Sequence, residues 1–198
     1  MTPLEIIGIA ASLSLLAGWR LYAAVLAAGI AVRFGGFDLP GELAGMAVFG
    51  NWWVIGAAAL GTVAEFLADK VAFVDSAWDA VHTLVRPVGG ALLAFAVVSP
   101  DNAPLGVVTV LLGGGAALAA HGAKAGTRAM INTSPEPVSN IVASVAEDGA
   151  TAAGLWLVFA HPQWAAALAA VLAVATGLLL WAAARLLGSV RRRWRRRE

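Results

Sequence analysis

Apolar stretches of about twenty residues recur along this 198-residue chain, and charged side chains are set inside them. Roughly 20 apolar residues cross a hydrocarbon core as a helix. In that core each backbone polar group needs an internal partner, which a helix provides. An ionisable side chain at the centre of such a helix costs about 2.5–3.5 kcal/mol. Between Glu65 and Asp148 the apolar pattern is nevertheless interrupted by Glu65, Asp69, Lys70, Asp75, Asp79, His82, Arg86, His121, Lys124, Arg128, Glu136, Asn140, Glu147 and Asp148. A chain carrying so many must recover the cost through pairing, through water or through function.

Composition fixes the class. Hydrophobic residues make up 60% and charged residues 13%, about half the charged share of ordinary soluble domains. The amino-terminal apolar run lacks a basic flank and continues past Arg20, so it does not have the form of a cleavable signal. The absence of cysteine excludes disulfides, thiolate metal sites and cysteine nucleophiles. The expected fold is an all-α, polytopic membrane bundle of about six transmembrane helices, with kinked or broken members. One transmembrane domain covers 1–187 and a basic tail covers 188–198.

The six apolar segments run from about Leu4 to Val32, Asn51 to Lys70, Asp75 or Trp78 to Val98, Pro104 to Ile131, Val138 to Ala160 and Trp164 to Leu187. At about 1.5 Å per residue the first is too long for an upright span, so it is strongly tilted or broken near Gly18-Trp19-Arg20. Pro87 with Gly89-Gly90 is expected to kink the third. Trp52, Trp53, Trp156, Trp164 and Trp181 fall near segment ends, where indoles favour the interface.

Seven of the thirteen basic residues lie between Arg185 and Arg197. The positive-inside rule puts that tail in the cytoplasm, and six crossings then bring the amino terminus to the same side. Lys70, Lys124 and Arg128 fall on the tail side, and Arg33 falls near an external loop. The expected location is a cell (cytoplasmic or inner) membrane, crossed several times. The expected partners are the bilayer, anionic headgroups at the tail at about 1 kcal/mol per basic residue, and a small solute or ion. A homo-oligomer stays open, and the membrane-tethered tail argues against nucleic acid.

The polar segment looks doubled. Asp75, Asp79 and Arg86 sit at i, i+4 and i+11, as do Glu136, Asn140 and Glu147. This suggests repeated hairpins at 51–98 and 104–160. A shorter echo pairs Ala17-Gly18-Trp19-Arg20 with Ala125-Gly126-Thr127-Arg128 across helices of opposite orientation, as in inverted repeats of transporters.

These residues also carry a family resemblance. Glu65-Phe66-Leu67-Ala68-Asp69-Lys70, Val74-Asp75-Ser76-Ala77-Trp78-Asp79-Ala80-Val81-His82 and Arg86-Pro87 resemble the first signature of domain-of-unknown-function family 4126. Lys124, Arg128, Asn132-Thr133-Ser134-Pro135-Glu136-Pro137, Ser139-Asn140 and Glu147-Asp148 resemble its second. The resemblance spans nearly the whole chain and implies a small bacterial-type integral membrane protein. It carries no activity with it.

Helical spacing gathers the charges on faces. Asp75, Asp79, His82 and Arg86 project within about 60° of one another at roughly 100° per residue. Glu65 and Asp69 share a face, and His121, Lys124, Arg128 and Asn132 form a cationic stripe. Lys124 or Arg128 is expected to pair with Glu65 or Asp69, and Arg86 with Glu147 or Asp148. Between residues 51 and 160 there are eight acids and four bases. Leaving out Asp101, in an external loop, three acids have no base, and an unpaired buried carboxylate takes up a proton, reaches water or binds a cation. Asp75, Asp79 and His82 offer two oxygens and a nitrogen to a divalent cation, opposed by Arg86 one turn on. His82 and His121 are alternative proton relays. Arg20 either pairs with a surplus carboxylate or holds an anionic group, and Ser134 is a candidate cap for the next helix.

Three functions follow from this reading. The first is a small-solute or ion transporter or channel, coupled to protons or cations, with a charged intramembrane cavity. The second is an intramembrane enzyme acting on a lipid or polyprenyl phosphate at the cytoplasmic interface. The third is a membrane scaffold or accessory subunit. No catalytic motif is present, which favours transport. The candidate substrate- or ion-binding residues are Glu65, Asp69, Asp75, Asp79, His82, Arg86, Lys124, Arg128, Glu136, Asn140, Glu147 and Asp148.

Overall fold

A computed structural model describes residues 1–35, 41–99, 101–131 and 137–195. Its helices are α1 (Pro3–Trp19), α2 (Leu21–Phe34), α3 (Trp52–Ala68), α4 (Ala72–Val98), α5 (Ala103–Ile131), α6 (Pro137–Ala160) and α7 (Ala165–Arg195). A 3-10 segment, Gly41–Gly50, precedes α3, and a short one, Pro162–Trp164, precedes α7. No strand occurs among the described residues. The protein is a multi-pass membrane helical bundle.

Local chemistry marks the helix ends. Thr2 and Glu5 form a reciprocal capping box on α1, satisfying two donors that a helix start leaves open. The Asn51 side chain accepts from the Trp53 amide at the start of α3. Ser99 ends α4 in the left-handed region, at φ 43°, and its hydroxyl donates to the Ala96 carbonyl. α4 starts at Ala72, a turn earlier than the sequence suggested, and runs unbroken through Pro87.

Helices within Phe73–Val98, Ala103–Ile131, Val138–Ala160 and Pro162–Leu186 are long and apolar enough to cross a membrane. Leu43–Gly50 with Trp52–Ala68 makes a fifth candidate span, bent by 73° at Asn51. Trp52, Trp53, Trp156, Trp164 and Trp181 are all exposed, as interfacial anchors should be.

The first apolar stretch is broken, at Arg20, whose backbone (φ −141°, ψ 81°) is not helical. The neighbours of its two halves give their directions. Along α1, Ser12 donates to the Ala165 carbonyl, Leu16 meets Gly154 and Arg20 meets Ser144, so α1 runs antiparallel to α6. Along α2, Tyr22 meets Gly61, Gly29 meets Ile55 and Arg33 donates to the Gly50 carbonyl, so α2 runs antiparallel to α3. Both outer ends therefore lie on the face that holds the α4–α5 and α6–α7 turns. Arg20 is the apex of a re-entrant hairpin driven in from that face.

This corrects the six-crossing expectation. The first segment goes in and comes back, leaving up to five through passes, α3 to α7. The first and last helices begin and end at opposite ends of the bundle. Gly8 packs on Ala165 and Ala166 at the turn face, whereas Ala183 of α7 packs on Gly126 near the far end of α5. Lys70, Lys124 and Arg128 lie toward the α7 end and Arg33 toward the opposite face, so the basic asymmetry stands as expected.

Small residues let the hairpin sit deep. Ala10, Ala17, Ala24 and Ala28 of the hairpin, with Ala117, Ala120 and Ala123 of α5, are buried, and such residues allow close backbone approach. A Cβ on Gly18 would collide with the Ala117 carbonyl oxygen and stand 2.6 Å from the Ala120 Cβ. Gly115, on the same α5, has open space around it. Gly18→Val should therefore destabilise the detergent-solubilised protein by about 1–3 kcal/mol, and Gly115→Val by no more than about 0.5 kcal/mol. Thermal unfolding of the pair checks this; equal effects would contradict the close packing at the apex.

Candidate functional site

A helix that ends inside a bundle leaves its last carbonyls without helical donors. At the end of α1 two cations supply them. Arg86 Nη1 donates to the Gly18 carbonyl at 3.2 Å, and Lys124 Nζ donates to the Trp19 carbonyl at 3.2 Å. Positive charge at a helix carboxyl end is also favoured by the helix dipole. Each cation draws in carboxylates, and two ion clusters meet at the apex.

Arg86 centres the first cluster. It is fully buried, with Glu65 Oε1 at 2.6 Å and Asp79 Oδ1 at 3.2 Å. Its Nη1 also lies 2.6 Å from His121 Nδ1. A guanidinium has only donors, so His121 Nδ1 accepts and its proton sits on Nε2. That nitrogen lies 3.1 Å from the Asp79 carbonyl and 3.0 Å from the Thr83 hydroxyl. His82 Nδ1 donates to the Trp78 carbonyl at 2.8 Å, leaving Nε2 to accept from the Tyr22 hydroxyl at 3.1 Å. The His82 ring stacks on Trp78, with centroids 4.4 Å apart. The contact with Arg86 fixes the His121 tautomer, and hydrogen bonds hold both rings in place.

The second cluster joins the apex, the end of α3, α5 and α6. Arg20 pairs with Asp69 Oδ2 and, at 2.8 Å, with Asp148 Oδ1. Lys124 lies 3.1 Å from Asp69 Oδ2 and 3.6 Å from Glu147 Oε2. Arg128 grips Glu147 through two nitrogens, Nη2 to Oε2 at 2.8 Å and Nε to Oε1 at 3.1 Å, the two-pronged geometry that makes such pairs strong. Its Nη1 donates to Asn140 Oδ1 at 2.6 Å, while Asn140 Nδ2 donates to the Asp69 carbonyl. Lys70 bridges Ser144 and Asp148, at 2.5 and 3.3 Å.

Of the twelve candidate residues, Glu65, Asp79, His82 and Arg86 come together in the first cluster, and Asp69, Lys124, Arg128, Asn140, Glu147 and Asp148 in the second. Asp75 is buried in the first turn of α4. Glu136 and the Asn132–Glu136 stretch, with Ser134, lie outside the described residues. The pairing of Lys124 with Asp69 is as expected. That of Arg86 with Glu147 or Asp148 is not found, because the end of α1 lies between Arg86 and α6. Those carboxylates turn to Arg20 and Arg128.

The surplus of acid also shrinks. Arg20, left out of the count between residues 51 and 160, takes Asp69 and Asp148. The described ion pairs then join five carboxylates (Glu65, Asp69, Asp79, Glu147 and Asp148) to five cations (Arg20, Lys70, Arg86, Lys124 and Arg128). The divalent-cation candidate is not supported: Asp79 turns to Arg86 and His82 to Trp78. Among the described residues no three His, Asp or Glu groups converge to hold a metal ion. Sequence reasoning also left Tyr22, Thr83 and Ser144 out of the site. They are ordinary residues whose role comes from position alone.

Comparison with family models identifies the family. A model described as domain of unknown function, DUF4126, matches residues 7–183. The chain belongs to this family. No curated protein and no solved structure matches it. In this DUF4126 protein the matched region contains both ion clusters and all of the hairpin beyond the first turn of α1.

Removing one member of a buried ion network leaves its partners charged and unpaired, which costs about 3–5 kcal/mol. Asp69→Asn, at the meeting point of Arg20 and Lys124, should destabilise the protein by that amount. Asp101→Asn, in the exposed α4–α5 turn, should change stability by no more than about 0.5 kcal/mol. Chemical unfolding in micelles reads both, and an unaffected Asp69 variant would contradict the network.

Proposed function

We propose that this membrane protein is a carrier of small solutes or ions, coupled to protons or cations. The observation that carries the reading is the broken re-entrant hairpin whose apex meets two clusters of buried ion pairs. A network that only held helices together would be an expensive choice, since buried ion pairs are often no better than apolar packing. Broken helices ending on charged residues inside the bundle are the form in which secondary transporters bind their solutes.

The packing supplies a moving part. α6 scarcely touches α5 along its length and reaches it through Arg128, Lys124 and Glu147. Near its other end α6 is seated by buried Leu155 and Val158. A swing of α6 about the His161-Pro162 turn would open the second cluster toward the tail face. The basic tail supports a reading in which that face lies in the cytoplasm of a cell (inner) membrane, with the tail on anionic headgroups and the outer ends of the hairpin facing outward.

Proteoliposomes holding a trapped pH dye test the carrier reading. Sodium, potassium, small carboxylate and phosphate salts are added in turn, and at least one should drive proton movement several-fold above empty vesicles. Glu147→Gln and Asp79→Asn should abolish it. Silence toward every salt, with metal-dependent turnover of a lipid phosphate, would favour the enzyme instead. If the substitutions changed detergent stability alone, the scaffold would stand.

A further inference from the structure

Two carboxylates in the second cluster share the same three cations. Asp69 Oδ2 is contacted by Arg20, by Lys124 at 3.1 Å and by Arg128 at 3.7 Å. Glu147 Oε2 is contacted by Arg20 at 3.7 Å, Lys124 at 3.6 Å and Arg128 at 2.8 Å. The cations come from the hairpin apex and α5, and are 3%, 1% and 1% exposed. The carboxylates differ in access: Asp69 is 0% exposed and Glu147 18%. Asp69 is locked in by the cations and by the bond from Asn140 to its carbonyl. Glu147 reaches the triad from the edge, on a helix scarcely packed on α5.

We infer that the Arg20–Lys124–Arg128 triad is a binding site for a small soluble carboxylate or similar oxyanion, which takes the place of the Glu147 carboxylate. The triad is already shaped for a carboxylate, because one occupies it. It also has donors to spare: Arg20 Nε is buried and has no hydrogen-bond partner among the described residues.

The exchange balances charge. The Glu147 carboxylate leaves the triad as the anion enters, so the triad faces one negative charge from that position before and after. Asp148 and Lys70 flank Glu147, and Asp69 shares its cations; Asp75 on α4 acts on Arg128 at longer range. Asp69 neutralises part of the triad in both states, which suits a monoanion better than a highly charged ligand.

The inference rests on the carrier reading but is tested apart from it, by binding. Formate is the probe, being the bare carboxylate, and inorganic phosphate tests larger oxyanions. Isothermal titration of the full-length, detergent-solubilised protein is done with sodium chloride holding ionic strength. Glu147→Gln should bind formate about tenfold or more tightly than wild type, because the competing carboxylate is gone, and Arg128→Gln should lose it. Formate binding by the wild type stands as a test even if a variant fails to fold.

Absence of oxyanion binding by both the wild type and Glu147→Gln would overturn the inference. So would a response limited to phosphatidylglycerol nanodiscs, which would mean a lipid headgroup rather than a soluble anion. If the vesicle assay showed proton movement driven by a cation salt without formate binding, the carrier would survive and the anion site would fall. If formate bound as described but moved no protons, the site would stand and the carrier would fall.

Discussion

The helix break at Arg20 imposes the constraint on which the rest of this structure depends. Ending α1 within the bundle leaves the Gly18 and Trp19 carbonyls to be satisfied, and in hydrocarbon an unsatisfied backbone group costs several kcal/mol. Water is the usual remedy at a helix end. Here Arg86 and Lys124 do the work instead. Bringing two cations to that depth requires anions, which come from the end of α3, from α4 and from α6. The ion clusters can thus be read as the cost of a re-entrant hairpin, and the hairpin as the reason the charges are where they are.

The same arrangement explains why the network is divided. The α1 end is a wall of backbone between Arg86 and α6, so charges that look interchangeable along the sequence are sorted into two sets. The first is tightly held, with its histidine rings fixed by hydrogen bonds and its Arg86 fully buried. The second has a sealed member, Asp69, and a reachable one, Glu147. A site that is rigid on one side and accessible on the other is suited to exchanging a ligand. The proposals of transport and of anion binding both draw on that difference.

Much of this was legible in the sequence. The apolar runs imply the bundle, and i, i+3 and i, i+4 spacing puts Asp75, Asp79, His82 and Arg86 on one face. The length of the first run, with Arg20 near its middle, indicated a break near Gly18-Trp19-Arg20. The direction of α2 after the break was not legible, because a one-residue interruption looks the same in a kinked span and in a returning hairpin. Only the neighbours of Tyr22, Gly29 and Arg33 decide it. That one ambiguity accounts for the difference in crossing number. The acid surplus was overstated for a related reason: Arg20 lies far from residues 51–160 in sequence and at their centre in space.

The returning hairpin is tested most directly by the sidedness of the chain's two ends. Because the protein has no cysteine, a single cysteine at Thr2 and, separately, one at Gly188 can be labelled by a membrane-impermeant maleimide in sealed vesicles of known orientation. The account predicts that the two positions are labelled from opposite sides of the membrane. Labelling of both from the same side would mean that the first apolar stretch crosses the bilayer, and would contradict the re-entrant hairpin on which the ion network is built.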